Sequence, residues 1–291
     1  MDNLNVYDVI IIGAGPAGVT ASLYTKRSNL NTLVIYYGDS SLEKARKIEN
    51  YYGFKNGISG KDLYNDGIKQ AENIGVKFKK EEVIKIQINN SSFIVTTTNN
   101  KYIAKSVILA TGNKKNKPLI QGIEKFEGKG ISYCAICDGF FYRNKIVAVL
   151  GSGNYAISEL NDLINIANKI ILLTNGEIAP EIRADNVEIN TKKVKELVGE
   201  KRLEKVIFSD NTNLAVDGIF IAQGVASSSD FAKKLGIFLN KDNIIVNEKM
   251  ETNIKGIYAC GDCIGGTLQI SKAVYDGMQA GLQVIQYLRS M

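Results

Sequence analysis

The chain has 291 residues, 45% of them apolar and 23% charged, which is typical of a globular protein with about two domains. It contains no histidine, which excludes Ser-His and Cys-His catalysis and imidazole metal sites. The 36 Lys and Arg residues are dispersed among 30 Asp and Glu residues, so the net charge of +6 does not indicate a nucleic-acid-binding surface.

The sequence predicts neither a membrane span nor a secretion signal. No stretch approaches the roughly 18 apolar residues of a membrane-spanning helix. The segment Met1–Asn5 lacks the basic residues with which a signal peptide begins. We therefore expect a cytoplasmic protein, in which four cysteines indicate redox or metal chemistry before structural disulfides.

The chain begins with a pattern typical of a βαβ unit. A strand is predicted at Asp8–Ile12, a helix follows the turn Gly13–Gly18 and runs to about Ser28, and a second strand covers Thr32–Tyr36. A β-meander with a turn at Asn89-Asn90 is predicted next, and then a strand at Ser106–Leu109.

The middle of the chain repeats this design after a polar run, Asn113–Lys117, that is typical of a linker. The strand Lys145–Leu150 enters the turn Gly151–Ala156, a helix to about Ala167 and the strand Lys169–Leu173. Further strands are predicted at Gly218–Ala222 and Ile257–Ala259, and a long helix from Ser271 ends the chain.

Two βαβ units predict an α/β protein with two nucleotide-binding-like domains, each of the Rossmann type with three ββα layers. The first domain is expected to combine both ends of the chain, 1–113 and 245–291. The second domain, 114–244, would be inserted into the first.

The first glycine motif suits a dinucleotide. Gly13 permits a tight turn, Gly15 lets the backbone approach a pyrophosphate at the helix N-terminus, and Gly18 lets the helix pack closely. The acid that normally follows the second strand is replaced by Tyr36, so ribose recognition would use Asp39 or the Tyr36 hydroxyl.

The pair Cys134 and Cys137 predicts redox chemistry. Two thiols three positions apart can close a disulfide, and one thiol of such a pair often has a lowered pKa. The adjacent Asp138 can exchange a proton with the attacking or leaving sulfur. We expect no zinc site here, because the chain has no histidine and only one other cysteine pair.

The other pair, Cys260 and Cys263, encloses Gly261-Asp262 between a predicted strand and a glycine pair. This setting predicts that Asp262 hydrogen-bonds a cofactor hydroxyl, with Gln269 close by. Two small buried thiols beside Asp262 are favoured over a second redox pair.

Five motifs occur in the order found in the low-molecular-weight thioredoxin reductases, and the chain is identified as resembling that family over essentially its whole length. The motifs are Gly13-Ala14-Gly15-Pro16-Ala17-Gly18, Ile48-Glu49-Asn50-Tyr51-Tyr52-Gly53-Phe54, Ala110-Thr111-Gly112, Cys134-Ala135-Ile136-Cys137-Asp138-Gly139-Phe140-Phe141 and Gly261-Asp262.

The resemblance implies a homodimer that binds FAD and reduces thioredoxin. It implies that Cys137 is the cysteine nearer the flavin, that Cys134 attacks the partner's disulfide, and that Asp138 is the acid-base residue. The implied FAD contacts are Gly13, Gly15, Pro16, Ala17, Gly18, Tyr36, Asn50, Thr111, Gly112, Gly261, Asp262, Gln269 and Ile270.

The middle domain departs from the family pattern. The ordinary enzymes take hydride from NADPH there, with a His-Arg-Arg cluster after the second strand and another Arg nearby. Here Tyr155 is a bulky residue in the glycine turn, the strand is followed by Thr174–Glu177, and only Arg183 could stand for the outlying arginine. A 2′-phosphate normally binds arginine, and Glu177 would repel it, so NADPH is disfavoured. NADH is less clearly excluded, because Glu177 could accept from a free 2′-hydroxyl.

Flavin and disulfide motifs without the nucleotide-binding arginines resemble the ferredoxin-dependent flavin thioredoxin reductases of anaerobic bacteria. The resemblance implies that electrons pass from reduced ferredoxin through FAD to the cysteine pair and reach thioredoxin through a mixed disulfide. The charge of +6 fits an acidic ferredoxin. Two alternatives stay open: a reductase that uses NADH, or NADPH at an atypical site, and a flavoprotein redox sensor with negligible turnover.

Overall fold

In the computed structural model, which describes residues 5–112 and 118–291, the chain divides into two units. The first contains residues 1–114 and 227–291, and the second contains 115–226. The expected linker Asn113–Lys117 lies outside the described residues.

The first part of the chain builds most of a mixed sheet with helices packed on it. Its elements are β1 Asn5–Ile12, α1 Pro16–Arg27, β2 Thr32–Tyr36, a 3₁₀ turn Ser41–Lys44, α2 Gly60–Asn73, β3 Lys77–Lys80, β4 Val83–Asn89, β5 Ser92–Thr97 and β6 Lys101–Leu109.

The elements of the second unit are α3 Ile123–Phe126, β7 Ile131–Ser132, α4 Ala135–Asp138, a 3₁₀ turn Gly139–Tyr142, β8 Ile146–Leu150, α5 Asn154–Leu163, β9 Lys169–Leu173, β10 Val187–Asn190, β11 Val194–Val198, β12 Lys205–Phe208, β13 Asn213–Ala215 and β14 Gly218–Ile221. Its strands form a five-stranded parallel sheet in the order β10-β9-β8-β14-β7 and a separate antiparallel sheet, β11-β12-β13.

The last part of the chain returns to the first unit. Its elements are α6 Ser228–Leu235, β15 Leu239–Asn240, β16 Asn243–Ile244, β17 Ile257–Ala259, a 3₁₀ turn Gly261–Ile264 and α7 Ile270–Arg289.

The first unit contains one mixed seven-stranded sheet, in which strand β6 has both parallel and antiparallel neighbours. Its first half pairs antiparallel with β5, and its second half pairs parallel with β17, while β1 pairs parallel with it along the other edge. The parallel strands are buried on both faces, which explains their continuous apolar runs such as Val9–Ile12. The carboxyl ends of β1, β6 and β17 therefore lie at one edge of the sheet.

The fold class predicted from the sequence is confirmed: both βαβ units form, and β2 and β9 have the predicted bounds. The domain limits differ from those expected, because the structure groups residues 227–244 with the first unit. The reason is α6, which buries Phe231, Ala232 and Leu235 and packs on β4 and the β15–β16 pair. The strands β10 to β13 were not predicted.

Candidate functional site

A disulfide joins Cys134 and Cys137, as the spacing predicted, with 5.3 Å between their Cα atoms. Cys134 lies directly before α4, and the Cys137 N–H donates to Cys134 Sγ at 3.2 Å. The two residues differ in access, since Cys134 is 2% exposed and Cys137 belongs to the exposed residues.

Asp138 is held by a residue that the sequence analysis did not identify. The buried Ser132 hydroxyl lies 2.6 Å from Asp138 Oδ2, to which it donates, and it accepts from the Cys134 N–H at 3.1 Å. One hydroxyl thus links the predicted acid-base residue to the first residue of the disulfide loop.

Glu159 also holds the disulfide loop and was also missed. Its side chain is completely buried, and Oε2 accepts from the N–H of Ala135, the first residue of α4, at 2.6 Å. The sequence carried a signal for it, since Glu159 lies between Tyr155, Ala156 and Leu163 on the apolar face of α5, where a charged residue is rare unless it has a partner.

The first glycine motif forms an open cradle at the start of α1. Gly13 has φ +114°, and a Cβ there would lie 2.2 Å from the Ala110 carbonyl oxygen. A Cβ on Gly18 would lie 1.9 Å from the Gly13 oxygen, whereas one on Gly15 would meet no atom within 4 Å. Gly15 precedes Pro16 at the helix N-terminus, which has no side-chain cap, and both residues line a cavity.

The structure brings further predicted residues to the same edge of the sheet. A Cβ on Gly261 would lie 2.8 Å from Ala17 Cβ, so the last motif contacts the first. The Thr111 hydroxyl forms a hydrogen bond with the Ser228 hydroxyl beside Gly112, which has φ +71°.

Two other predicted residues meet each other. Asn50 Nδ2 donates to Gln269 Oε1 at 3.3 Å. Gln269 precedes Ile270, the first residue of α7, and Ile270 lines a cavity of about 450 Å³ together with Gly15 and Pro16.

Asp262 lies in the 3₁₀ turn and is partly buried. Burial raises the pKa of its carboxyl, the Lys272 ammonium lowers it, and the Asp276 carboxylate raises it. Lys272 and Asp276 were not identified from the sequence. The signal for Asp276 was a charge on the face of α7 that also carries the buried residues Ala273 and Ala280.

Tyr36, the residue in the position of the usual acid, is half-buried and packs edge-on against Phe78 with 6.3 Å between the ring centroids. The segment after it forms a capped turn of its own, because Glu43 Oε2 accepts from the Ser40 N–H at 2.7 Å while the Ser40 hydroxyl accepts from the Leu42 N–H.

Cys260 and Cys263 are free thiols and both are buried. Burial raises the pKa of Cys260 well above its ordinary value and that of Cys263 to about 11. The Cys263 thiol donates to the Leu109 oxygen at 3.4 Å. This agrees with two small buried thiols rather than a second redox pair.

The second glycine turn has a backbone geometry similar to that of the first, but a carboxylate of the protein itself is hydrogen-bonded to it. Gly151 has φ +150°, and a Cβ there would lie 2.2 Å from the Ala222 oxygen. The adjacent Ser152 hydroxyl donates to a carboxylate oxygen of Glu177.

The structure also describes the surroundings of Tyr155 and Arg183 in the second unit. Tyr155 is 2% exposed and its hydroxyl donates to the Tyr133 oxygen at 3.2 Å, so its ring is buried in the unit and not placed over the turn. Arg183, the expected stand-in for a nucleotide-binding arginine, is exposed and pairs with Glu181 at 3.4 Å.

The fold and the site together define a disulfide oxidoreductase with two nucleotide-type domains, and the comparisons with known proteins agree. The profile of the family described as pyridine nucleotide-disulphide oxidoreductase matches residues 7–277. The thioredoxin reductase of Aquifex aeolicus is 35% identical over 97% of this chain and 94% of its own length.

Two solved structures are also similar. The atypical thioredoxin reductase TRi of Desulfovibrio vulgaris Hildenborough has 35% identity and a TM-score of 0.90, over 97% of this chain and 98% of that one. A ferredoxin-flavin thioredoxin reductase of Clostridium acetobutylicum has 34% identity and a TM-score of 0.71, over 99% and 100%. The chain belongs to the low-molecular-weight thioredoxin reductases of the pyridine nucleotide-disulphide oxidoreductase family.

FAD is the cofactor of this family, as the motifs implied. The residues of the first unit fit such a group, because the Gly15 backbone and the uncapped start of α1 leave room for a pyrophosphate. Within the described parts of the chain, no helix is both long and apolar enough to span a membrane.

Proposed function

We propose that this protein is a thioredoxin reductase that receives its electrons from reduced ferredoxin and not from a pyridine nucleotide. The observation that carries the proposal is the hydrogen bond between Ser152 and Glu177. The chain's own carboxylate is bonded to the glycine turn at which a nucleotide would bind, where it would repel the 2′-phosphate of NADPH. The same carboxylate could accept from the free 2′-hydroxyl of NADH, so the test below includes both nucleotides.

The proposed cofactor site lies wholly in the first unit. The turn Gly13–Gly18 would hold the pyrophosphate, Asp262 would accept from a ribityl hydroxyl, and Gln269 with Ile270 would approach the flavin ring. When bound, FAD accepts electrons one at a time and donates them in pairs to a disulfide.

The proposed chemistry of the cysteine pair is thiol-disulfide exchange. Two electrons and two protons convert the Cys134–Cys137 disulfide to two thiols, and Asp138 would donate one of these protons. Asp138 would then accept a proton from the attacking thiol, which becomes a thiolate. One thiolate then attacks the thioredoxin disulfide and releases one thiolate of the partner. The second cysteine attacks the resulting mixed disulfide, which releases the partner's dithiol and closes Cys134–Cys137 again.

The difference in exposure between Cys134 and Cys137 bears on which of them attacks the thioredoxin disulfide. The family resemblance assigns the attack to Cys134, yet Cys134 is 2% exposed and Cys137 is an exposed residue. If Cys134 attacks, reduction of the disulfide has to uncover its sulfur.

Apolar side chains around the pair support a protein substrate. Ile136, Phe140 and Phe141 are exposed by 49%, 67% and 69%, and all lie within four residues of Cys137. Clustered exposed aromatic residues are typical of protein-binding surfaces.

The charge distribution supports an acidic electron donor. The first unit has 22 Lys and Arg against 16 Asp and Glu residues, whereas the second has 14 of each, so the whole net charge of +6 lies on the unit proposed to hold FAD. A positive surface attracts an acidic partner such as ferredoxin. A cytoplasmic location and a homodimer stay predictions.

The test is anaerobic mixing of the holoprotein with reduced ferredoxin, NADH or NADPH while the flavin absorbance is followed. We expect rapid bleaching by ferredoxin alone, followed by multiple turnovers with thioredoxin. Rapid bleaching by NADH or NADPH would show that the second unit still binds nucleotides. Bleaching without thioredoxin turnover would favour the redox sensor.

The cysteine variants are the matched controls. Cys134→Ser and Cys137→Ser should both keep a flavin that ferredoxin bleaches, and both should lose thioredoxin reduction. The mixed disulfide that each remaining cysteine forms with thioredoxin, identified by mass spectrometry, shows which sulfur attacks. Undiminished turnover in either variant would contradict the assignment of the pair.

A further inference from the structure

An ion pair on α7 holds both peptide groups of one glycine in the proposed FAD site. Asp276 Oδ2 accepts from the Gly261 N–H at 3.2 Å, and Lys272 Nζ donates to the Gly261 oxygen at 3.1 Å. The two side chains contact each other at 2.8 Å, one helical turn apart. Lys272 also donates to the Gly265 oxygen at 2.6 Å and so spans the 3₁₀ turn.

This arrangement is buried and specific. The Asp276 side chain is 4% exposed and that of Lys272 23%. A buried ion pair is weak evidence for stability, because desolvation offsets much of the attraction. Its geometry points instead to positioning, since Lys272 Nζ also donates to the carbonyl oxygen of Gly261, in the turn that carries Asp262, and to that of Gly265 directly after it.

Gly261 needs such support. It has φ +79°, and a Cβ there would lie 2.8 Å from Ala17 Cβ, so the turn is pressed against the glycine cradle with little freedom. A shift of Gly261 would move both the following Asp262 side chain and the contact with the first glycine motif.

We propose that Lys272 and Asp276 form a clamp on the Gly261 peptide groups that positions Asp262 for FAD and thereby sets the affinity of the protein for this cofactor. The proposal rests on the FAD site proposed above. The two charges of the clamp act on the pKa of Asp262 in opposite directions, since Lys272 lowers it and Asp276 raises it, so the clamp is expected to act through position and not through charge.

The experiment measures the FAD dissociation constant of the full chain from the rise of flavin fluorescence when the holoprotein is diluted. The variants are Lys272→Met, the double variant Lys272→Met/Asp276→Leu and Asp262→Ala, with the exposed Lys249→Met as matched control. The double variant leaves no unpaired buried charge, so it should fold, which far-UV circular dichroism checks.

We expect Lys272→Met, the double variant and Asp262→Ala each to weaken FAD binding about tenfold or more, and Lys249→Met to leave it unchanged. A pair that only stabilises the fold would give a double variant with wild-type affinity, and that result would overturn the clamp. If Asp262→Ala weakens binding while the double variant does not, the clamp alone is wrong. If Asp262→Ala has no effect, the proposed role of Asp262 fails and the clamp fails with it.

Discussion

At the scale of single residues, two cysteine pairs with the same spacing differ in one member, because Cys134, Cys260 and Cys263 are all buried and Cys137 is exposed. Cys137 is exposed in a loop held by Ser132 and Glu159, whereas Cys260 and Cys263 are buried free thiols. Reactivity requires the thiolate, and burial disfavours a charged sulfur. The exposure of Cys137, and not the spacing, therefore distinguishes the pair proposed to react from the pair of buried free thiols.

This difference predicts the alkylation pattern of the reduced protein. With the pKa of Cys263 raised to about 11, only roughly 0.1% of that thiol is ionised at about pH 8. After reduction, iodoacetamide should label Cys137 at least about 100-fold faster than Cys260 or Cys263, as peptide mass spectrometry can measure. All four cysteines should react in guanidinium. Labelling of Cys260 or Cys263 at a rate comparable to that of Cys137 in the folded protein would contradict the assigned burial.

At the scale of elements, helices α1 and α7 approach closely at glycines. A Cβ on Gly277 would lie 2.1 Å from the Ala17 oxygen, so α7 packs against the backbone of α1. Ala17 also borders Gly261, so this contact supports the proposed cofactor site. The close approach has no space for a side chain.

Replacement of a helical glycine by alanine should change the free energy of unfolding in opposite directions at Gly277, which lies in this contact, and at Gly67, which lies in α2. Gly277→Ala should lower the free energy of unfolding by about 1–3 kcal/mol, because overpacking forces the helices apart. Gly67→Ala in α2 should raise it by up to about 1 kcal/mol, since alanine favours the helix and its Cβ would lie 3.6 Å from Val19 Cγ1, an ordinary contact. Guanidinium unfolding of the holoprotein measures both, and equal effects would contradict the packing.

At the scale of the whole molecule, charge is divided unequally between the units. The net charge of +6 belongs to the first unit, and the second is neutral overall. Long-range attraction of an acidic protein is therefore a property of the first unit. Such attraction acts over about 10 Å at moderate salt and weakens as salt is added.

This predicts the salt dependence of the donor reaction. Flavin bleaching by reduced ferredoxin should slow several-fold as ionic strength rises from about 0.02 to about 0.3 M. Reduction of the Cys134–Cys137 disulfide by dithiothreitol, whose reactive thiolate carries a single charge and meets a unit that is neutral overall, should change little and serves as the control. A donor rate that rises or stays constant with salt would argue against electrostatic steering.

Much of the fold could be predicted because the apolar runs are local signals. The strands β1, β2, β8, β9 and β17 are buried β-rich segments beside glycine turns, and each was found within three residues of its bounds. Residues 175–217 lack such runs, and the strands β10 to β13 there were missed. The observed limit between the units differs from the predicted one because α6 belongs to the first unit through its packing on β4, β15 and β16, and this packing leaves no signal in the local sequence.

The candidate site likewise contains some residues that could be predicted from the sequence and others that could not. Glycines with special φ values, the cysteine pair and Asp138 could be identified from the chain, since turn geometry and thiol chemistry require particular residue types. Ser132, Glu159 and Lys272 could not, because their partners lie 6, 24 and 11 residues away along the chain and are brought to them only by folding.

By itself, the sequence determined the α/β architecture, the flavin-type glycine motif, the disulfide and the family, since each depends on residue type and local spacing. Tertiary structure decided which cysteines are buried, that Tyr155 points into the unit, that Glu177 lies on the second glycine turn, and that an ion pair on α7 holds Gly261. These depend on burial and on contacts between segments far apart in the chain, and no local pattern encodes them.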